Sequence, residues 1–139
     1  MRIIKKIAIQ CDLSSSSGLG HLSRMKNLSL ELEKKGLECF YLFNKKNKNY
    51  TLRHAKGLKT IFFSDKNKIN SIKNILFKSN FQILILDSYE NNSILEKTLV
   101  KKGLFVVSID DHLKEHYSNI VVSNRTEEIN FYNKKINQI

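Results

Sequence analysis

The sequence lacks proline and tryptophan and contains only two cysteines. It also has no apolar run that approaches the length of about 20 residues that a membrane span requires. The two cysteines, Cys11 and Cys39, cannot form a disulfide scaffold, and we expect both to be small, reduced core residues of buried strands. Gln10 and Asp12 interrupt the apolar stretch near the N-terminus, which argues against a signal peptide. We therefore expect a cytoplasmic protein without a membrane span.

Arginine is also scarce, since only four of the 24 basic residues are arginines. The net charge of +11 alone would suit a nucleic-acid-binding protein. Specific nucleic-acid contacts, however, depend on arginine forks and stacking aromatic residues. The abundant lysine, isoleucine and asparagine are typical of AT-rich codon usage, and we interpret the lysines as a solvated surface. We expect no nucleic-acid partner, although the charge favours an anionic small substrate.

Apolar runs and helical patterns alternate along the chain. The predicted strands cover residues 3–10, 37–43, 60–63, 82–86, 104–109 and 120–122, and helices are predicted at residues 21–35, 68–78 and from about residue 92 to 102. Residues 44–57 are polar and could form a loop and a short helix. The alternation predicts an α/β fold, a Rossmann-like parallel sheet with helices on both faces, as a single domain over residues 1–139.

A glycine-containing motif lies between the first predicted strand and the first predicted helix, where parallel sheets bind ligands. Its glycines, Gly18 and Gly20, allow a tight turn and a close approach of the backbone to a ligand. The following helix N-terminus suits a phosphate or carboxylate and disfavours a protonated imidazole. His21 is therefore expected to be neutral and available as a general base. The alternative is a glycine-rich turn with an incidental histidine.

Two familiar phosphate-binding patterns do not match this motif. The dinucleotide pattern requires a third glycine where Ser23 stands, and an acidic residue after the second strand, which runs into Asn44 instead. A Walker loop is excluded because no Gly-Lys-Ser/Thr follows. The serine run at residues 14–17 lacks a nucleophile elbow, so we interpret it as small residues that let the loop bend around a ligand.

Four aspartates follow predicted strands: Asp12, Asp87, Asp110 and Asp111. If the strands are neighbours, these carboxylates line one crevice with His21, and one of them could orient the imidazole. The alternative is that each caps the following turn or helix.

A pair of histidines, His112 and His116, could bind a metal if both lay on one helix. The stretch is instead a short connection before another predicted strand, and it lacks a zincin pattern. We therefore expect no metal site.

Several of these motifs, in this order and spacing, resemble the N-terminal half of the UDP-sugar hydrolases of pseudaminic acid biosynthesis. That group includes proteins described as spore-coat polysaccharide biosynthesis proteins. The resemblance covers nearly the whole chain. It rests on Asp12 with its serine-rich loop, Gly18-Leu19-Gly20-His21-x-x-Arg24, Asp87-Ser88-Tyr89, Ile109-Asp110-Asp111, His116 and Ile120-Val121-Val122.

The resemblance implies two Rossmann-like domains in the B-type glycosyltransferase architecture, with this chain as the N-terminal one. It implies removal of UDP from a 2,4-diacetamido-2,4,6-trideoxy-β-L-altropyranose by water attack at the anomeric carbon, with inversion and without a metal or other cofactor. His21 takes the family's catalytic position, as a base or as a site organiser. The implied substrate-binding residues are Asp12, Gly18, Gly20, Arg24, Asp87, Tyr89, Asp110 and Asp111.

The sequence departs from the family pattern in three places. Ser88 replaces a usual histidine, and Ser123-Asn124-Arg125 differs from the usual motif, so another nucleotide sugar remains open as the substrate. The sequence ends near Ile139, where the family continues into a second domain that supplies most nucleotide contacts. We expect either a separate C-terminal-domain protein as the partner or self-association through an uncovered face. The alternatives are a truncated or non-catalytic module that binds a sugar nucleotide or a partner, and a glycosyltransferase half that uses an acceptor alcohol.

Overall fold

The computed structural model describes residues 5–123; residues 1–4 and the family motif position at Asn124 and Arg125 lie outside the described residues. The strands are β1 (Lys6–Cys11), β2 (Glu38–Asn44), β3 (Thr60–Phe63), β4 (Ile83–Asp87), β5 (Phe105–Ile109) and β6 (Ile120–Val122). The helices are α1 (Gly20–Lys34), α2 (Lys48–His54), α3 (Lys68–Lys78) and α4 (Ser93–Lys101), and a short 3-10 turn covers Lys45–Asn47.

The described strands form one parallel sheet in the order β3-β2-β1-β4-β5-β6. The chain steps outward from β1 to β3, crosses back to β4, and then steps outward in the other direction. This reversal between β1 and β4 opens a crevice at the carboxyl ends of those two strands. The structure thus confirms the predicted Rossmann-like α/β fold, and the predicted strands and helices within the described range agree to within about two residues.

The sheet is buried on both faces because side chains alternate along each strand. On β1, Ala8 belongs to a core that includes Leu76 of α3 and Leu99 of α4. Its neighbour Ile9 belongs to a second core with Met25 of α1. Helices α3 and α4 therefore cover one face, and α1 covers the other together with α2. This arrangement holds the strand ends, and the loops that follow them, in fixed positions.

Helix α1 ends where the sequence predicts it to end. Gly36 adopts a φ of 84°, the left-handed conformation that a side chain would strain. Its N–H donates to the carbonyl of Glu33 at 2.9 Å, and the N–H of Leu37 donates to the carbonyl of Leu32 at 3.2 Å. These bonds satisfy carbonyls of the last helical turn and direct the chain into β2.

Both cysteines lie in the core, as predicted, each 2% exposed. Burial raises the pKa of Cys11 far above its ordinary range and raises that of Cys39 to about 11, so both remain thiols near neutral pH. Over residues 5–123, no helix has the length and apolar character required to cross a membrane.

We predict that Leu84→Ala lowers the free energy of unfolding by about 2–5 kcal/mol, because the side chain is 0% exposed in the central strand β4. Leu30→Ala, on the outer face of α1 and 56% exposed, should cost less than about 1 kcal/mol. Urea denaturation of both variants measures the difference. Equal losses would contradict the placement of β4 at the centre of the fold.

Candidate functional site

The loop after β1 folds into a compact turn that delivers the chain to the start of α1. The N–H of Gly18 donates to the carbonyl of Ser14 at 2.9 Å, and Gly18 adopts a φ of 73°. The Ser14 N–H donates to Ser17 Oγ at 3.0 Å, and the Ser17 N–H donates to Ser14 Oγ at 3.1 Å. The serines thus stabilise the turn, and the positive φ explains the glycine at position 18.

The N-terminus of α1 points its free amides into this region. Leu19 occupies the N-cap without a side-chain hydrogen bond, and the first turn contains no acidic residue. The partial positive charge of the helix end is therefore not neutralised by an acidic residue of the helix's own first turn. A Cβ added to Gly20, the first helical residue, would meet nothing within 4 Å. The end of this helix can accept an anionic group at close range.

Asp87, at the end of β4, holds together the polar side chains at the centre of the site. Its Oδ1 lies 2.7 Å from Nδ1 of His21, and Arg24 donates from Nη2 to Oδ1 at 2.5 Å and from Nε to Oδ2 at 2.8 Å. Arg24 also donates from Nη1 to Oδ2 of Asp111 at 2.9 Å. Two side chains from α1 and two from strand ends thus form one network, as the sequence predicted for His21, Asp87 and Asp111.

The charges of this network determine the state of each group. Burial alone would raise the pKa of Asp87, but the hydrogen bonds from His21 and Arg24 hold it below its ordinary 3.8. The Asp87 and Asp111 carboxylates in turn raise the pKa of Arg24. An ionised carboxylate only accepts hydrogen bonds, so Nδ1 of His21 must be the donor. The opposite nitrogen, Nε2, is buried and has no hydrogen-bond partner among residues 5–123.

Asp12 connects the loop after β1 to the loop after β4. Its carboxylate accepts a hydrogen bond from Ser88 Oγ at 2.8 Å and another from the N–H of Tyr89 at 2.7 Å. The Tyr89 ring meets the His21 ring edge-on, with centroids 4.3 Å apart, while 53% of Tyr89 remains exposed. Ser88 therefore positions Asp12, and Asp12 in turn holds the backbone that places Tyr89 against the histidine.

Asp110 does not line this crevice, contrary to the sequence-based prediction. It is 0% exposed, and its carboxylate accepts from the N–H groups of His112 and Lys114, each at 2.7 Å, and from Nε2 of His116 at 2.8 Å. The side chain turns inward under its own loop because it caps the turn, the alternative that the sequence left open. Asp110 contacts protein groups, whereas its neighbour Asp111 contacts Arg24.

A second buried network lies beneath that loop and was missed by the sequence analysis. His116 Nδ1 lies 2.8 Å from Oε1 of Glu96, which is 1% exposed and also accepts from Ser108 Oγ at 2.8 Å. Burial lowers the pKa of His116, but hydrogen bonds and charges from Glu96 and Asp110 outweigh it and raise the pKa above 6.5. The sequence signal for this network is Glu96, a charged residue beside Leu95 on the apolar face of α4, because a buried carboxylate requires hydrogen-bond donors.

The structure therefore brings together all but one of the predicted site residues. Within residues 5–123, no group of three or more histidine, cysteine, aspartate or glutamate side chains is arranged to hold a metal. The brought-together set is Asp12, Gly18, Gly20, His21, Arg24, Asp87, Tyr89 and Asp111.

Comparison with known proteins adds no assignment to this geometry. The chain matches no protein-family model, and no curated protein matches it. The function is therefore inferred from the motif resemblance and from the contacts of the site.

We predict that Asp87→Ala lowers the free energy of unfolding by about 2–3 kcal/mol, because it leaves His21 and Arg24 without their acceptor. The loss is below that of a fully buried pair because the Arg24 side chain is 38% exposed and can be hydrated. Asp65→Ala is the control, since it removes only exposed contacts with Asn44 and Lys46 and should leave the unfolding midpoint nearly unchanged. Equal effects of the two substitutions would contradict the role given to Asp87.

We predict a pH window for the contribution of His116 to stability. Because its pKa is raised in the folded protein, protonated His116 adds to the free energy of unfolding, and this contribution is complete below the ordinary pKa of 6.5. The contribution is lost as pH rises through the pKa of the folded state. Glu96, whose pKa is lowered, contributes above its ordinary 4.5 and loses this contribution as pH falls through its folded-state pKa. The stability difference between the wild type and His116→Gln, from urea denaturation, should peak between those two values. A difference that grows above neutral pH would contradict this pairing.

Proposed function

We propose that this chain is the histidine-bearing domain of a sugar-nucleotide hydrolase that releases UDP from a diacetamido-trideoxy hexose. One observation carries the reaction type: His21 is fixed through Nδ1 at 2.7 Å from an ionised carboxylate, while its Nε2 has no partner among the described residues. An imidazole oriented in this way is a general base for a hydroxyl or a water molecule.

The proposed step uses water and the nucleotide sugar as its only reactants. Nε2 of His21 takes a proton from water, and the water oxygen forms a bond to the anomeric carbon. The bond from that carbon to the β-phosphate oxygen breaks, and its electron pair leaves with UDP. Asp87, which keeps its negative charge, stabilises the imidazolium that forms.

The diphosphate of the UDP leaving group would bind at the start of α1. The uncapped helix end and the open space beside Gly20 favour a diphosphate there. Arg24 is less suited to this task, because Asp87 and Asp111 already accept from its guanidinium. We assign Arg24 to positioning: it holds the Asp87 carboxylate against His21 and keeps it ionised.

Tyr89 controls access to the histidine in this proposal. Its ring packs against that of His21, yet half of the side chain faces solvent. Because Nε2 is buried, a water molecule reaches it only after a neighbouring side chain moves, and Tyr89 is an exposed side chain whose ring contacts the imidazole. We expect the bound sugar to displace or reorient Tyr89 and so to couple substrate binding to base exposure.

The sugar and nucleotide are proposed from the resemblance to the UDP-sugar hydrolases. The same resemblance leads us to propose a B-type glycosyltransferase architecture, in which a second Rossmann-like domain supplies further nucleotide contacts. We propose a cytoplasmic location, where nucleotide sugars are made.

We predict that His21→Ala lowers UDP release by about 100- to 10,000-fold, the usual contribution of a general base, while circular dichroism shows a folded protein. The assay uses the UDP-linked diacetamido sugar with the chain alone and with a nucleotide-binding domain of the family supplied in trans. His54→Ala is the matched control, because His54 is exposed at the end of α2 and contacts Tyr50 rather than the site.

Hydrolysis retained in His21→Ala would overturn the role assigned to His21. Sugar-nucleotide binding without UDP release by the wild type in both assays would favour the alternative of a non-catalytic binding module. Release that requires an acceptor alcohol would favour the glycosyltransferase alternative.

A further inference from the structure

A cavity of about 360 Å³ adjoins the His21 network on the side of β2 and β3. Asp12 and Tyr89 belong to both the network and the cavity wall, and the serine turn at residues 14–17 forms one rim. Phe63 at the end of β3 and Leu13 supply apolar wall. The volume suits a small ligand or one part of a larger ligand, and the cavity lies where ligands of parallel sheets bind.

Gln10 is the unusual residue of this cavity. It is 3% exposed on β1, in register with Leu42 on one side and Leu86 on the other, both of which are core residues. Its Oε1 is buried and has no hydrogen-bond partner among residues 5–123. An apolar side chain would fill the same position without desolvating an amide. No hydrogen bond of Oε1 within the described residues explains why a glutamine stands at this position. Gln10 lines the cavity that adjoins the His21 network.

The charges around the cavity indicate a neutral ligand part. Lys68 donates to Glu90 and to Asn92 Oδ1, and Lys46 donates to Asp65. Both lysines of the cavity wall therefore already contact a carboxylate. An anionic group gains more at the start of α1, where no acidic residue stands in the first turn. Gln10, a residue of the cavity wall, has a side-chain carbonyl oxygen without a hydrogen-bond partner among residues 5–123.

We propose that this cavity binds an N-acylamino substituent of the sugar, and that the cavity wall adjusts on binding so that the buried Oε1 of Gln10 accepts the amide N–H. The acyl methyl group would lie against the apolar wall that includes Leu13 and Phe63. The proposal rests on the proposed function in taking the ligand as a sugar whose anomeric carbon reaches His21. Gln10 is then a substrate-binding residue that selects acylamino sugars over simple hydroxylated ones.

The test uses free N-acetylglucosamine and glucose as probes, titrated into the chain and followed by NMR of the glutamine side-chain amides. N-acetylglucosamine should shift the Gln10 resonances, and glucose should bind at least about tenfold more weakly. Gln10→Met keeps the side-chain size and removes the amide. It should weaken N-acetylglucosamine binding by about tenfold or more while leaving the thermal midpoint unchanged or higher.

Gln82→Met is the matched control, because Gln82 is exposed and only its backbone makes hydrogen bonds. It should leave probe binding unchanged. A lower thermal midpoint in Gln10→Met with probe binding unchanged would show a structural role and overturn the proposal. Equal binding of the two probes, or no shift of Gln10, would also overturn it.

His21→Ala separates this proposal from the proposed function. N-acetylglucosamine binding that depends on Gln10 and survives in His21→Ala supports the cavity assignment even if no variant releases UDP. Conversely, UDP release could depend on His21 and yet have the same KM in Gln10→Met as in the wild type. This result would support the hydrolase proposal and overturn the assignment of the cavity to an N-acylamino group.

Discussion

The negative charge of Asp87 is the constraint on which the site depends. The residue is 1% exposed at the end of a central strand, where an isolated carboxylate would be strongly disfavoured. Arg24 and His21 together supply three donors, and their positions one helical turn apart on α1 let both reach it. Because the carboxylate stays ionised, the histidine tautomer follows directly. The charge of Asp87 therefore determines both the stability of the His21–Arg24 network and the tautomer of the imidazole.

The topology explains why this charge lies beside a helix end and a cavity. Strand order reverses between β1 and β4, so the loops after these two strands separate and leave a crevice. Asp12 closes part of it by accepting from Ser88 and from the Tyr89 backbone. Asp12 lines the cavity together with Gln10, and Tyr89, whose N–H donates to Asp12, packs its ring against His21. A substrate with an anionic part and a neutral amide part matches both environments.

The parallel sheet could be predicted because its strands carry short apolar runs separated by helical periods, and the strand ends then identified Asp12, Asp87 and Asp111. The direction of each side chain could not be predicted in the same way. Asp110 and Asp111 are adjacent, yet a turn of the backbone points one inward to His116 and the other toward Arg24. In the sequence, Gln10 only interrupts an apolar run, because the sequence shows neither its neighbours in the sheet nor the lack of a hydrogen-bond partner for its Oε1.

The contact with the ionised Asp87 predicts that the neutral His21 ring carries its proton on Nδ1 and a lone pair on Nε2. Nitrogen NMR of the protein labelled in its histidine rings, at mildly alkaline pH, reports which ring nitrogen carries the proton. The expected spectrum shows His21 with a protonated Nδ1 and an unprotonated Nε2, and this preference is lost in Asp87→Ala. A proton on Nε2, or a ring that averages between the two tautomers in the wild type, would contradict the claim.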